Sequence, residues 1–217
     1  MPPVCDYEEG DSMSLPQKEP LNLIIAGVGG QGNVLISRLI GQAMVDDGYK
    51  VTIGETYGAS QRGGSVTSHV RISKDHQYGA LIPEGQADII LGLEPMETLR
   101  HLALRGSPST YVITNTRPIY PMCVATGEAE YPTLDHIQQN IDELSRKAWY
   151  VDASEIALNL GVVLLTNIVM VGALAGLKIM ALKPDRFEHQ LKAIFQKGKL
   201  DLNLRAFKMG LGHDFGQ

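Results

Sequence analysis

The segment Gly27-Val28-Gly29-Gly30-Gln31-Gly32 follows directly on an apolar run over residues 21–26 and leads into a helical pattern over 33–47. That order, apolar strand then glycine turn then helix, constrains the fold more than the glycines themselves. Gly27 and Gly29 let the backbone turn tightly and approach a ligand. Gly32 allows close packing of helix on strand, with N–H groups at the helix start facing an anion. In this context a GxGxxG pattern points to a nucleotide or phosphate loop, or to a tight turn packed on a neighbouring chain.

Composition narrows the function classes. The net charge of -5 gives no basic footprint for nucleic acid. The two cysteines, Cys5 and Cys123, are far apart in the chain. They form no CxxC pair, and an iron–sulfur cluster needs about four thiolates. No metal site is expected. Residues 1–20 are acidic and proline-containing without an apolar core, so they read as a flexible tail rather than a signal peptide. Cysteine usage fits a reduced, cytoplasmic setting. Residues 156–177 carry no charge and are long enough to cross a bilayer. Asn159, Thr166 and Asn167 interrupt them, however, and favour a helix buried in a core or a subunit interface, including that of a homodimer.

After the tail, residues 21–217 read as one domain. Strands are expected over 21–26, 50–54, 65–72, 87–92, 111–114 and 149–151. Helices are expected over 33–47, 94–104, 136–146, 153–160, 162–182, 183–197 and 202–210. Strands alternating with helices predict a Rossmann-like α/β fold: an open parallel sheet with helices on both faces. Ligands then bind at the carboxyl ends of the strands, in the loops after residues 26, 54, 92, 114 and 151.

Several residues in those loops are candidates. Glu55 ends the second strand about 20 residues beyond the glycine loop, where a dinucleotide fold places its ribose acid. This supports an alternative reading as a stand-alone NAD- or FAD-binding module. Ser60-Gln61-Arg62-Gly63-Gly64-Ser65 forms a second glycine-rich loop, and Arg62 offers a planar cation suited to phosphate or carboxylate. His69 reads as a hydrogen-bonded structural histidine and Asp152 as a helix N-cap. Thr166 and Asn167 must find partners if buried, which makes them helix-contact residues first. No catalytic constellation is assigned.

Taken together, GVGGQG over 27–32, Glu55-Thr56-Tyr57-Gly58, the QRGGSV run over 61–66, Val151-Asp152-Ala153 and the stretch from Thr166 to Leu174 resemble the gamma subunit or domain of 2-oxoacid:ferredoxin oxidoreductases. The likeness is greatest to the indolepyruvate-type beta subunit. It covers about residues 21–210, and the acidic tail departs from it. The resemblance implies a Rossmann-like partner subunit of an enzyme that oxidatively decarboxylates a 2-oxoacid, such as indolepyruvate or another aryl pyruvate, to an acyl-CoA. Thiamine diphosphate, iron–sulfur clusters, coenzyme A and ferredoxin belong to the whole enzyme, and none is held by this chain alone. By the same resemblance, Gly27, Gly29, Gly30, Gln31 and Gly32 match the first loop of the family. Gln61, Arg62, Gly63 and Gly64 match the second, and Asn167 matches the late-helix asparagine. These residues are expected to face a cofactor or a partner chain, and the chain alone is expected to be inactive.

Overall fold

A computed structural model describes residues 18–58 and 63–215. Of the expected tail over 1–20, residues 1–17 lie outside them. Its last residues are anchored: Lys18 pairs with Asp88, and the Glu19 carboxylate accepts the Lys74 N–H at 2.8 Å.

The elements, in chain order, are β1 (Leu21–Val28), α1 (Asn33–Asp46), β2 (Lys50–Tyr57), β3 (Ser65–Ser73), β4 (Ile89–Gly92), α2 (Pro95–Arg105) and β5 (Tyr111–Asn115). Then come α3 (Met122–Ala125), α4 (Leu134–Leu144), β6 (Lys147–Val151), α5 (Ala153–Asn159), a 3-10 turn (Val163–Leu165), α6 (Thr166–Gly176), α7 (Pro184–Ile194) and α8 (Lys197–Leu211). The strands form one six-stranded sheet in the order β2-β3-β1-β4-β5-β6. Its strands alternate sides strictly. Leu23 and Ile25 face one core, with α1 and α5–α8, while Ile24 and Ala26 face another, with α2 and α4. Helices thus cover both faces.

The sheet is mixed rather than wholly parallel. β1, β4, β5 and β6 run parallel, but β3 is antiparallel to both β1 and β2 and lies between them. The cause is local. The segment joining β2 to β3 is too short for the crossover that parallel neighbours require, so the strands pair as a hairpin. The second strand also continues past Gly54 to Tyr57, so Glu55 lies within a strand, not at its end.

The uncharged late segment is not one long helix. Residues 163–165 form the 3-10 turn, α6 stops at Gly176, and Lys178 takes a left-handed backbone (φ 54°). Among the described residues no helix is long and apolar enough to cross a membrane. Nor is α6 free to line a homodimer interface. It is buried from Thr166 to Ala175, and α8 packs on it at very short range. A Cβ on Gly172 would lie 2.2 Å from the Phe207 carbonyl oxygen, and one on Gly210 would lie 2.0 Å from that of Val169.

This contact is backbone against backbone, so it has no flexible side chain to yield. Gly172→Ala and Gly210→Ala are each expected to lower the denaturation free energy by about 1–3 kcal/mol, the cost of overpacking a core. Gly198 has open space around its Cβ position. Gly198→Ala, in the first turn of α8, is expected to be neutral or stabilising. Equal losses at all three sites in urea denaturation would disprove this account of the α6–α8 contact.

Candidate functional site

The glycine loop closes on itself through Gln31. The Gln31 Oε1 accepts the Val28 N–H at 2.8 Å, and its Nε2 donates to the Leu93 carbonyl at 2.8 Å. The side chain thereby fills the turn and ties the end of β1 to the end of β4. A Cβ on Gly27 would stand 2.7 Å from Gln31 Oε1 and would displace that amide from its bonds. Gly32 takes φ 83°, and its Cβ would fall 2.3 Å from Asn167 Nδ2. That same Nδ2 donates to the Gln31 carbonyl at 3.0 Å. Asn167, expected first as a helix-contact residue, thus contacts the glycine loop rather than another helix through this bond.

The two glycine loops meet. The Gly29 N–H donates to the Gly64 carbonyl at 2.9 Å. Gln61 and Arg62 lie outside the described residues, whereas Gly63 and Gly64 lie beside the first loop. Between the loops and the ends of β5, β6 and α6 is a cleft of about 380 Å³, whose walls include Gly29, Gly30, Gln31, Gly63 and Asn167. Gly27, Gly32 and Gly64 do not line it. The N–H groups of Gly30 and Gly32 have no partner among the described residues.

Glu55 stands apart. Its carboxylate accepts the Ser37 hydroxyl at 3.0 Å and the Ser68 hydroxyl at 2.5 Å. In a dinucleotide fold the second strand lies beside the first, with the acid at the crevice. Here β3 separates them, and Glu55 is in register with Ser68, which is itself in register with Ile25, short of the end of β1. The nucleotide-module alternative loses its main support through this antiparallel insertion.

The opposite wall comes from residues that the glycine motifs did not reveal. Asn115, buried at the end of β5, donates to the Leu93 carbonyl at 3.2 Å and pairs with the Ser154 hydroxyl at 3.1 Å. Asp152 caps α5 as expected, accepting the Glu155 N–H at 3.0 Å. Arg117 is exposed at the cleft, with no ion pair among the described residues. The segment carrying it is held by Glu94. That buried carboxylate accepts the Tyr131 hydroxyl at 2.5 Å, the Ile119 N–H at 3.3 Å and the Glu97 N–H at 2.8 Å. Burial raises the carboxyl of Glu94, and burial together with Glu94 raises the phenol of Tyr131. The position of Asn115 and Glu94 after strand ends was the only signal for them in the sequence.

These loops at the carboxyl edge frame the comparison with known proteins. Residues 22–212 match the family described as pyruvate ferredoxin/flavodoxin oxidoreductase. The chain belongs to that family. It is 43% identical over 190 residues to indolepyruvate oxidoreductase subunit IorB of Archaeoglobus fulgidus, covering 88% of this chain and 93% of that protein. It is 40% identical over 191 residues to the subunit of the same name from Thermococcus kodakarensis, covering 88% of this chain and 94% of that one. A solved 2-oxoglutarate:ferredoxin oxidoreductase from Magnetococcus marinus shares the fold, with TM-score 0.69 and 22% identity, covering 89% of this chain and 30% of that one. The chain is thus of the oxidoreductase-subunit kind, with a mixed α/β sheet of that family's architecture.

His69 on β3 and His101 on α2 are both buried. His69 Nδ1 accepts the Ile82 N–H at 3.3 Å, and His101 Nε2 lies 2.6 Å from the Thr67 hydroxyl. Burial first, and Arg105 second, lowers both to about 4. The folded state therefore holds them neutral, while the unfolded chain protonates near 6.5. Their contribution is complete above pH 6.5 and is lost as pH falls toward 4. The urea midpoint is expected to drop across that window, and to drop less steeply in His69→Gln/His101→Gln. A parallel pH profile in the double variant would remove the assignment.

Proposed function

We propose that this chain is the partner subunit of a cytoplasmic 2-oxoacid:ferredoxin oxidoreductase acting on indolepyruvate or another aryl pyruvate. The Archaeoglobus and Thermococcus relatives carry the indolepyruvate name, and they match this chain over nearly their whole length. In this reading thiamine diphosphate and the iron–sulfur clusters reside on the other subunit, and ferredoxin reaches the enzyme through that subunit. The chain alone is inactive.

The observation that carries the proposal is the union of the two glycine loops through the Gly29–Gly64 hydrogen bond at an open cleft. The cleft collects donors without a reacting group. The backbone N–H of Gly30, the Arg117 guanidinium and the Ser154 hydroxyl can hold an anion or an amide carbonyl, and no nucleophile–base pair accompanies them among the described residues. The Magnetococcus enzyme was solved with coenzyme A and succinyl-CoA bound. The donor set here suits the phosphates and amides of coenzyme A, which when bound supplies the acyl acceptor. The chain's part is to orient that ligand and to shield the acyl transfer from water. Exposed Val163, Leu164, Ile119 and Tyr120 around the same cleft support a neighbouring chain seated there.

Affinity capture of the tagged full chain from its native extract tests the subunit reading. A larger, cysteine-rich, thiamine-binding polypeptide is expected with it in stoichiometric amount, and 2-oxoacid oxidation is expected only in the captured complex. Recovery of the chain alone, or turnover by the purified chain alone, would refute the reading. In the complex, Arg117→Ala is expected to raise the KM for coenzyme A about tenfold with little change in kcat, the scale of one charge-assisted contact. An unchanged KM would move coenzyme A away from this wall.

A further inference from the structure

The strap over residues 116–132, between β5 and α4, crosses the surface without a single buried residue. Apolar burial therefore does little to fix its course. One carboxylate oxygen ties both of its ends instead. Glu94 Oε1 accepts the Ile119 N–H at 3.3 Å near the start and the Tyr131 hydroxyl at 2.5 Å near the finish. Tyr120 meets Tyr131 edge to face, with ring centroids 5.1 Å apart, so the two ends also touch each other.

Glu94 is longer than its other task requires. Its second oxygen caps α2 by accepting the Glu97 N–H at 2.8 Å. Asp, Asn, Ser and Thr are the preferred N-caps, and they reach that N–H with a shorter side chain. The extra methylene of Glu94 carries the carboxylate to the strap. Glu94 is only 1% exposed, and a buried carboxylate is costly unless donors engage it. Two of its three donors come from the strap.

The adjacent residue joins this tether to the cleft. The Leu93 carbonyl accepts Gln31 Nε2 at 2.8 Å and Asn115 Nδ2 at 3.2 Å. Leu93 and Glu94 thus hold the glycine loop and the strap against one strand end. Gln31, Leu93, Arg117 and Ile119 all line the cleft between them. Arg117 sits between two anchors: the Thr116 N–H donates to the Val151 carbonyl at 3.1 Å, and the Ile119 N–H donates to Glu94.

We propose that Glu94 is a positioning residue, which latches the strap to the end of β4 and so holds the Arg117 guanidinium at the cleft. The identity of the anion that Arg117 meets there rests on the coenzyme A reading above. The latch does not.

Glu94→Asp tests the proposal, because it keeps the charge and the cap and withdraws the carboxylate from the strap. In hydrogen exchange of the full chain, the Ile119 amide is expected to exchange about tenfold faster, the scale of one lost hydrogen bond, with α2 unchanged. Tyr131→Phe, which keeps the ring packing, is expected to give a smaller effect in the same direction. In the captured complex, Glu94→Asp is expected to raise the KM for coenzyme A about fivefold with kcat unchanged. Glu94→Asp/Arg117→Ala is expected to match Arg117→Ala within about twofold, since the first change acts through the second residue. Unchanged exchange at Ile119, or faster exchange of α2 together with the strap, overturns the proposal. So does a KM raised by Arg117→Ala and unmoved by Glu94→Asp, or additive losses in the double variant. A strap loosened by Glu94→Asp, with a KM indifferent to both single variants, removes the coenzyme A reading and leaves the latch in place.

Discussion

The site depends on one side chain's hydrogen bonds. Gln31 accepts from Val28 and donates to Leu93, so its amide extends the pairing of β1 with β4 beyond the last strand pair, Ala26 with Gly92. Its carbonyl then receives Asn167 from a helix far along the chain. Three elements meet at one residue, and its bonds satisfy polar groups at the sheet edge. The glycines around it follow from this arrangement. Gly27 leaves room for the Gln31 amide, and Gly32 leaves room for the Asn167 amide.

The antiparallel β3 has the larger effect on the architecture. Because it runs against β1, the connection from β2 returns at the same edge as the glycine turn, and the second loop lies beside the first. A wholly parallel sheet with the same strands would need a crossover helix there. The same reversal draws Glu55 into the sheet, where Ser37 and Ser68 engage it. One topological change thus accounts both for the paired loops and for the departure from a dinucleotide-binding arrangement.

Most of the fold was legible because it depends on local periodicity. The apolar runs of β1, β4 and β5 and the spacing of Val34, Leu35, Leu39 and Ile40 in α1 state their elements directly. The direction of β3 was not legible, since alternation along a strand says nothing of which way its neighbour runs. The break at the 3-10 turn was hidden because Val163, Leu164 and Leu165 are as apolar as the helix that follows. In the site, the glycine loops and Asn167 were visible as motifs. Asn115, Ser154, Glu94 and Tyr131 were not, because each owes its role to partners distant in sequence.

The interlock of Gly32 and Asn167 also bears on how such a chain can diverge. A Cβ at position 32 and an amide at position 167 compete for one volume, so the two positions cannot drift independently. Shortening 167 empties that volume but severs the bond to the Gln31 carbonyl, and the left-handed backbone of Gly32 still disfavours any side chain there. Each single step passes through a damaged intermediate. The contact between the glycine loop and α6 is therefore a ratchet on sequence change, set by the backbone of Gly32 as well as by the space that Asn167 fills.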